Sequence, residues 1–274
     1  MISDIIMETD GKGKDMGKVR TIENLVYREN VGKAGMLDLY LPETEKCKTL
    51  LIFFHGGGLE NGDKTDDSII CNELAACGIA IVSANYRMYP DVIYPQYIED
   101  AAKAVAWSLK HIKEYIIFDQ IFIGGISAGA YLSMMLHFQP GFLAGYDVSE
   151  NQISGYIFDA GQPTVHYNIL KERGQDPRSV RVDEAAPIYY LEGKRTVERK
   201  QRFLILISDQ DIVGRREQNE LLIRTMETHG YEKSQINYQV IKGYHHAGYE
   251  NVKDAEGGYP YVRLLCEFIE SDRK

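Results

Sequence analysis

The sequence predicts an α/β fold: a mostly parallel, doubly wound sheet flanked by helices, with an antiparallel hairpin at its N-terminal end. Three observations carry this prediction. Short apolar runs at 50–54, 79–83, 121–123, 156–158 and 203–207 have the form of central strands covered on both faces. Helix-like segments at 68–77, 98–115, 131–138 and 217–229 separate them. A length of 274 residues with 44% hydrophobic content supports one large core, and hence a single domain.

Taken in order, segments 18–27 and 36–41 alternate polar and apolar residues after a polar, glycine-containing start, which predicts two strands forming the hairpin; Pro42 ends the second. Strand 50–54 follows, then a helix over 68–77 that stops at Gly78, then strand 79–83. Ala101, Ala104, Val105, Leu109 and Ile112 recur near a 3.6-residue period, so 98–115 is a crossover helix before the strand at 121–123. Strands at 156–158, 203–207 and 236–241, the helix at 217–229 ending at Gly230, and a closing helix over about 261–271 complete the series. Segment 160–201 breaks the rhythm: it is rich in Pro, Gly, Tyr and charge, and has no clear central strand. A connection that long inside a compact domain is a lid or a short helical insertion, so a small cap is expected at about 160–201. No repeat, low-complexity tract or interdomain linker is visible.

The formal net charge of −9, with no cluster of Lys and Arg interleaved with aromatics, excludes nucleic acid as an expected partner. Residues 1–10 carry neither a basic n-region nor an apolar h-region, and no apolar run is long enough to span a bilayer. A cytoplasmic location without membrane contact is therefore expected; homo-oligomer formation is left open. Cys47, Cys71, Cys77 and Cys266 have no metal-ligand spacing, which predicts reduced structural thiols.

The chemistry centres on Gly125-Ile126-Ser127-Ala128-Gly129, placed between a strand and a helix. A strand, tight turn and helix of this kind expose the serine hydroxyl on a sharp elbow. A second glycine-rich element, His55-Gly56-Gly57-Gly58, follows the strand at 50–54 and offers backbone N–H donors at Gly57 and Gly58; Ala128 offers a third. Glycine is expected there to leave room for an acyl group and to allow positive φ. A serine hydroxyl needs an imidazole to take its proton and a carboxylate to hold that imidazole. Ser208-Asp209-Gln210-Asp211 and Tyr244-His245-His246 follow later strands, in the chain order this architecture requires. Asp211 is preferred to Asp209 because it lies deeper in its loop, with Ile212 and Val213 as an apolar anchor. His246 is preferred to His245 because small Ala247 and Gly248 let its ring approach.

Other residues take quieter roles. His55 is expected to hold the glycine loop. His111, His137, His166 and His229 have no acidic or nucleophilic neighbour in sequence and are expected to pack or face solvent, with His166 the one placed to touch substrate. Tyr86, Tyr89, Tyr94 and Tyr97 form either an aromatic pocket wall or amphipathic packing.

From about Leu37 onward the chain resembles an α/β-hydrolase fold carboxylesterase, near the hormone-sensitive-lipase-like and bacterial feruloyl or acetyl esterase-like groups. The resemblance rests on Leu37-Asp38-Leu39-Tyr40-Leu41-Pro42, His55-Gly56-Gly57-Gly58, Asn85-Tyr86-Arg87, Tyr94-Pro95, Asp100, Trp107, Asp119, residues 125–129, and the acid and histidine loops. It implies Ser127 as nucleophile, Asp211 as acid, His246 as base, and oxyanion donors at Gly57, Gly58 and Ala128. Two departures are Leu59, where an aromatic is common, and Ala130, where a glycine is usual; Leu59 is expected to alter the pocket wall. The expected activity is a serine carboxylesterase acting on small, short-chain acyl esters, acetylated sugars among them, through an acyl-enzyme and without metal or organic cofactor. An amidase, formamidase or peptidase using the same triad, and a catalytically silent ligand-binding hydrolase fold, are the alternatives.

Overall fold

The computed structural model describes residues 3–5, 17–43, 47–191 and 201–271. Most of residues 1–10, which lack leader features in sequence, and positions 192–200 of the expected cap lie outside the described residues. Nine strands form one sheet: β1 (Ser3–Ile5), β2 (Val19–Val26), β3 (Met36–Pro42), β4 (Thr49–Phe54), β5 (Ile79–Ala84), β6 (Gln120–Ile126), β7 (Gly155–Asp159), β8 (Arg202–Gln210) and β9 (Ile236–His245). Their order is β1-β9-β8-β7-β6-β4-β5-β3-β2. Only the β2–β3 and β3–β5 pairs are antiparallel, so the hairpin forms one edge of an otherwise parallel sheet. The helices are α1 (Ser68–Ala76), α2 (Gln96–His111), α3 (Ala128–Phe138), α4 (Gly141–Ala144), α5 (Tyr167–Glu172), α6 (Arg215–Thr228) and α7 (Pro260–Glu270).

The apolar runs form central strands because both of their faces are covered. Leu50, Ile52 and Phe54 of β4 join Ala80, Val82 and Ala84 of β5 in a core that also takes in residues of α2, α3 and α6. Leu51 and Phe53, alternating with them, face the second core with Ile79, Ile81, α1 and α7. The two-residue period of a strand thus divides one apolar run between two layers. Helix α3 is buried along its whole length, which fixes the elbow before it.

Three differences from the sequence expectation matter. β1 pairs in parallel with β9, Asp4 opposite Val240, in the polar start to which the sequence reading assigns no strand; three residues are too short for a periodic signal. β8 and β9 run beyond their apolar stretches to Gln210 and His245, so Asp209 and His245 are strand residues rather than loop residues. Within 160–201 the described residues supply α5 and a 3₁₀ turn at Pro187–Tyr190, and no strand.

Candidate active site

The elbow is built by β6 and α3. Ser127 adopts φ 54°, ψ −108°, a region that L-residues rarely enter and that costs about 1–3 kcal/mol. Its N–H donates to the Asp159 carbonyl at 2.7 Å, tying the turn to the end of β7. The flanking glycines answer to close packing. A β-carbon on Gly125 or Gly129 would collide with the Phe54 carbonyl, so the elbow can seat against the end of β4 only without side chains there.

Strand register places the two partners. Gln210 of β8 lies opposite His245 of β9, after a register shift beyond Ser208. Asp211 and His246 are therefore the first residues off two paired strand ends. Nε2 of His246 lies 2.8 Å from Ser127 Oγ, and Nδ1 lies 2.6 Å from Asp211 Oδ1. Since that carboxylate oxygen accepts, Nδ1 carries the proton and Nε2 is left to accept from the serine. Asp211 also receives the N–H of Ile212 at 2.7 Å and that of Ser208 at 3.4 Å. Its side chain is 2% exposed against 25% for His246, so the carboxylate is enclosed while the imidazole is the more open of the two. Ala247 at φ 52° and the Gly248 N–H to the His245 carbonyl, 3.0 Å, form the tight turn that aims His246.

Asp209 and His245 point elsewhere. Asp209 Oδ1 accepts the Gly243 N–H at 2.8 Å, and His245 is exposed with Nδ1 3.4 Å from the Gln210 carbonyl. The expected apolar anchor of the acid loop is corrected: Ile212 is 48% and Val213 99% exposed. Asp211 is held instead by hydrogen bonds from its own loop and by the β8–β9 pairing.

Beside Ser127 runs the loop after β4. Gly57 and Gly58 have φ of 102° and 69°, and the Glu60 and Asn61 N–H groups close a turn on the Gly57 carbonyl at 3.2 and 2.9 Å. A β-carbon on Gly56 would stand 3.6 Å from that of Ser127, which places the loop against the elbow. Among the described residues, the N–H groups of Gly57, Gly58 and Ala128 donate to no protein acceptor. Ala128 opens α3, where no helical carbonyl is in reach. The reason for glycine differs in part from the expected one: β-carbons on Gly57 and Gly58 would strike the Asn61 carbonyl and the Tyr167 hydroxyl, the protein's own atoms. Leu59 is likewise corrected, being fully buried in the core at φ 66° and not part of an open pocket wall.

His55 braces this loop. Its Nδ1 lies 2.7 Å from the Gly56 carbonyl, and its ring stacks on Tyr86 at 4.5 Å, while the Tyr86 hydroxyl donates to the His55 carbonyl at 3.0 Å. Burial lowers the His55 pKa and favours the neutral ring. Tyr86 and Tyr97 are fully buried, and the Tyr94 hydroxyl donates to the Glu184 carbonyl at 2.6 Å, so these three tyrosines pack rather than form an open aromatic wall.

His166 is fully buried, its Nδ1 accepting the Asn168 N–H at 3.2 Å to cap α5; burial holds its pKa well below the usual value. His137 lies in the aromatic core, 2.9 Å from the Tyr231 hydroxyl. His111 does have an acidic neighbour, Glu114 at 3.7 Å, which the sequence reading overlooked.

Two residues that sequence reasoning passed over flank the site. Asp159 is fully buried, its backbone carbonyl accepting from Ser127 and its Oδ1 accepting from Tyr249; burial pushes its carboxyl up to about 7. Tyr167, on α5, sets its hydroxyl against Gly58. Neither has a local sequence signal, because each is brought in by tertiary packing. A cleft of about 490 Å³ bounded by Cys47, Lys48 and residues 115–119 opens at the N-terminal ends of β4 and β6, the opposite end of the sheet from Ser127. Among the described residues no helix is long and apolar enough to cross a membrane.

Comparison with known proteins agrees with this architecture. The BD-FAE family model matches residues 37–167, from β3 to the start of α5. A probable carboxylic ester hydrolase, LipM of Mycobacterium tuberculosis, is 32% identical over 154 residues, covering 48% of this chain and 35% of LipM. The chain thus spans about a third of that relative's length. A truncated carbohydrate esterase from gut microbiota has a TM-score of 0.76 at 20% identity, over 97% of this chain and 100% of the other. Esterase B from Lactobacillus rhamnosis, inhibited by a tributyrin phosphonate, has a TM-score of 0.71 at 18% identity, over 95% and 87% of the two chains. With the strained serine elbow, the glycine loop and the sheet order already described, these likenesses show that the chain has the α/β-hydrolase fold.

Proposed function

We propose that the protein is a serine carboxylesterase that hydrolyses small, short-chain acyl esters, acetylated sugars among them. The observation that carries this reading is the hydrogen-bonded run from Asp211 through His246 to Ser127, ending on an elbow beside three N–H groups that are unpaired among the described residues. Nε2 of His246 takes the Ser127 proton as Oγ bonds to the ester carbon, and the carbonyl electron pair moves onto oxygen. Gly57, Gly58 and Ala128 donate to that oxyanion; one such donor is worth about 3–4 kcal/mol of transition-state stabilisation. Collapse of the intermediate breaks the bond to the alcohol, which leaves with the proton returned by Nε2. Water then repeats the sequence on the acyl-enzyme and frees the acid. Asp211 keeps Nδ1 protonated and stabilises the imidazolium formed in each half.

Helix α5 stands over the glycine loop, which supports a small acyl group rather than a long chain. The likeness to LipM, a probable carboxylic ester hydrolase, and to a carbohydrate esterase supports ester substrates, with carbohydrate esters among them. The test is a panel of nitrophenyl esters of increasing acyl length, acetylated sugars, feruloyl esters and a matched anilide. Turnover is expected to favour the shortest acyl groups and to vanish in Ser127→Ala. Faster cleavage of the anilide than of its ester would move the activity to an amidase, and full turnover by Ser127→Ala would refute the serine mechanism.

A further inference from the structure

Tyr167 lies on α5, in the segment that departs from the regular strand and helix alternation, yet it meets the catalytic loop directly. A β-carbon on Gly58 would collide with its hydroxyl oxygen and come within 3.1 Å of Cζ. The residue is half-buried, and its hydroxyl has no hydrogen-bond partner among the described residues. The hydroxyl oxygen is not sealed from water, so a phenol held against the glycine loop keeps its O–H open to an incoming acceptor.

Its position is fixed from three sides. The ring packs on His166 at 4.5 Å, the backbone N–H donates to Gln162 Oε1 at 3.3 Å, and one turn later Lys171 pairs with Glu60 of the glycine loop. Lys171 also lies 5.9 Å above the Tyr89 ring. Burial, then the Glu60 carboxylate, raises the phenol pKa, so the group remains a donor at neutral pH. A donor pre-aimed by rigid neighbours needs little reorganisation when charge develops beside it.

We propose that Tyr167 is a further catalytic residue, its O–H donating to the ester carbonyl oxygen as that atom becomes the oxyanion next to the Gly58 N–H. The proton stays on the phenol throughout; the bond being made is Ser127 Oγ to carbon, and the phenol stabilises the displaced electron pair. This rests on the serine esterase reading above.

Tyr167→Phe tests it by removing one oxygen and leaving the ring. On a short-chain nitrophenyl ester, kcat is expected to fall about 10²-fold, the usual loss for one oxyanion donor, with KM within a few-fold. Affinity for a trifluoromethyl ketone, which forms a hemiketal oxyanion on the serine, is expected to fall by the same factor as kcat/KM. A structural role would instead lower the melting temperature, raise KM, or weaken ketone and substrate alike. Any of those patterns with kcat retained overturns the proposal, as does an unchanged kcat. If the variant does not fold, 3-fluorotyrosine at position 167 keeps ring and hydroxyl and strengthens the donor. Tighter ketone binding then supports the proposal and unchanged binding refutes it. Failure of the underlying reading looks different: wild-type protein that cleaves no ester and takes no fluorophosphonate on Ser127.

Discussion

Replacing Asp211 by alanine removes the acceptor 2.6 Å from His246 Nδ1 and leaves the imidazole free to rotate or to take the wrong tautomer. In triads of this kind, loss of the acid lowers kcat by about 10⁴, or about 5.4 kcal/mol at 1.36 kcal/mol per tenfold. Asparagine should do less harm. Turning its NH₂ toward His246 would also set it against the Ile212 N–H, which now lies 2.7 Å from the same carboxylate oxygen. The amide oxygen is therefore retained at Nδ1, and only the charge is lost. At an effective dielectric of about 20, a pair of unit charges about 4 Å apart is worth about 4 kcal/mol, which predicts a fall of about 10³. Asp209→Ala breaks an exposed hydrogen bond to Gly243 and should change kcat by less than a few-fold. Steady-state hydrolysis of a short-chain nitrophenyl ester, with melting temperatures for all variants, reads the series. Asp211→Ala retaining more than a tenth of wild-type kcat, or Asp209→Ala losing more than Asp211→Ala, would refute the reasoning.

Two further outcomes follow from strain and burial. Ser127→Gly and Ser127→Ala both lose the hydrogen bond to His246, but only glycine relaxes at φ 54°, ψ −108°. Relief of about 1–3 kcal/mol less glycine's entropy penalty of about 0.5–1 kcal/mol should leave the glycine variant more stable in thermal unfolding, and equal melting points would contradict elbow strain. For Asp159 the folded carboxyl titrates near 7, while the unfolded one titrates near the ordinary carboxylate value. Between about pH 4 and 7 the folded state therefore binds more protons, and this group's contribution to stability falls as pH rises. Asp159→Asn lacks that slope, so its stability relative to wild type should increase across the window by up to a few kcal/mol, at about 1.4 kcal/mol per unit. A pH-independent difference in denaturant unfolding would contradict it.

Much of the fold and part of the candidate site are legible in the sequence, for identifiable reasons. Central strands such as β4 are apolar on both faces because both are covered, and that pattern is local. The elbow at Ser127 and the turn at Gly57 and Gly58 are legible because close backbone packing and positive φ restrict residue type at adjacent positions. Geometry set by strand pairing is not. The sequence offers Asp209 and Asp211, His245 and His246, and the local argument for Asp211 relied on Ile212 and Val213 as an anchor that the structure exposes to solvent. What distinguishes the pairs spatially is the Gln210–His245 register, a long-range fact carried by backbone hydrogen bonds where the apolar pattern has already ended. Leu59 was misplaced for a related reason, since at φ 66° its side chain turns into the core. Tyr167 leaves no trace in the sequence because only the folding of α5 onto the glycine loop sets its hydroxyl against Gly58.

The central claim is that Ser127 becomes acylated, and mixing wild-type protein with nitrophenyl acetate before the steady state tests it most directly. A burst of nitrophenol equal to the enzyme concentration, with one acetyl group on the Ser127 peptide by mass spectrometry, is the predicted result. Hydrolysis with no acetylated protein under conditions that trap the intermediate, or acetylation at another residue on the catalytic path, would contradict it.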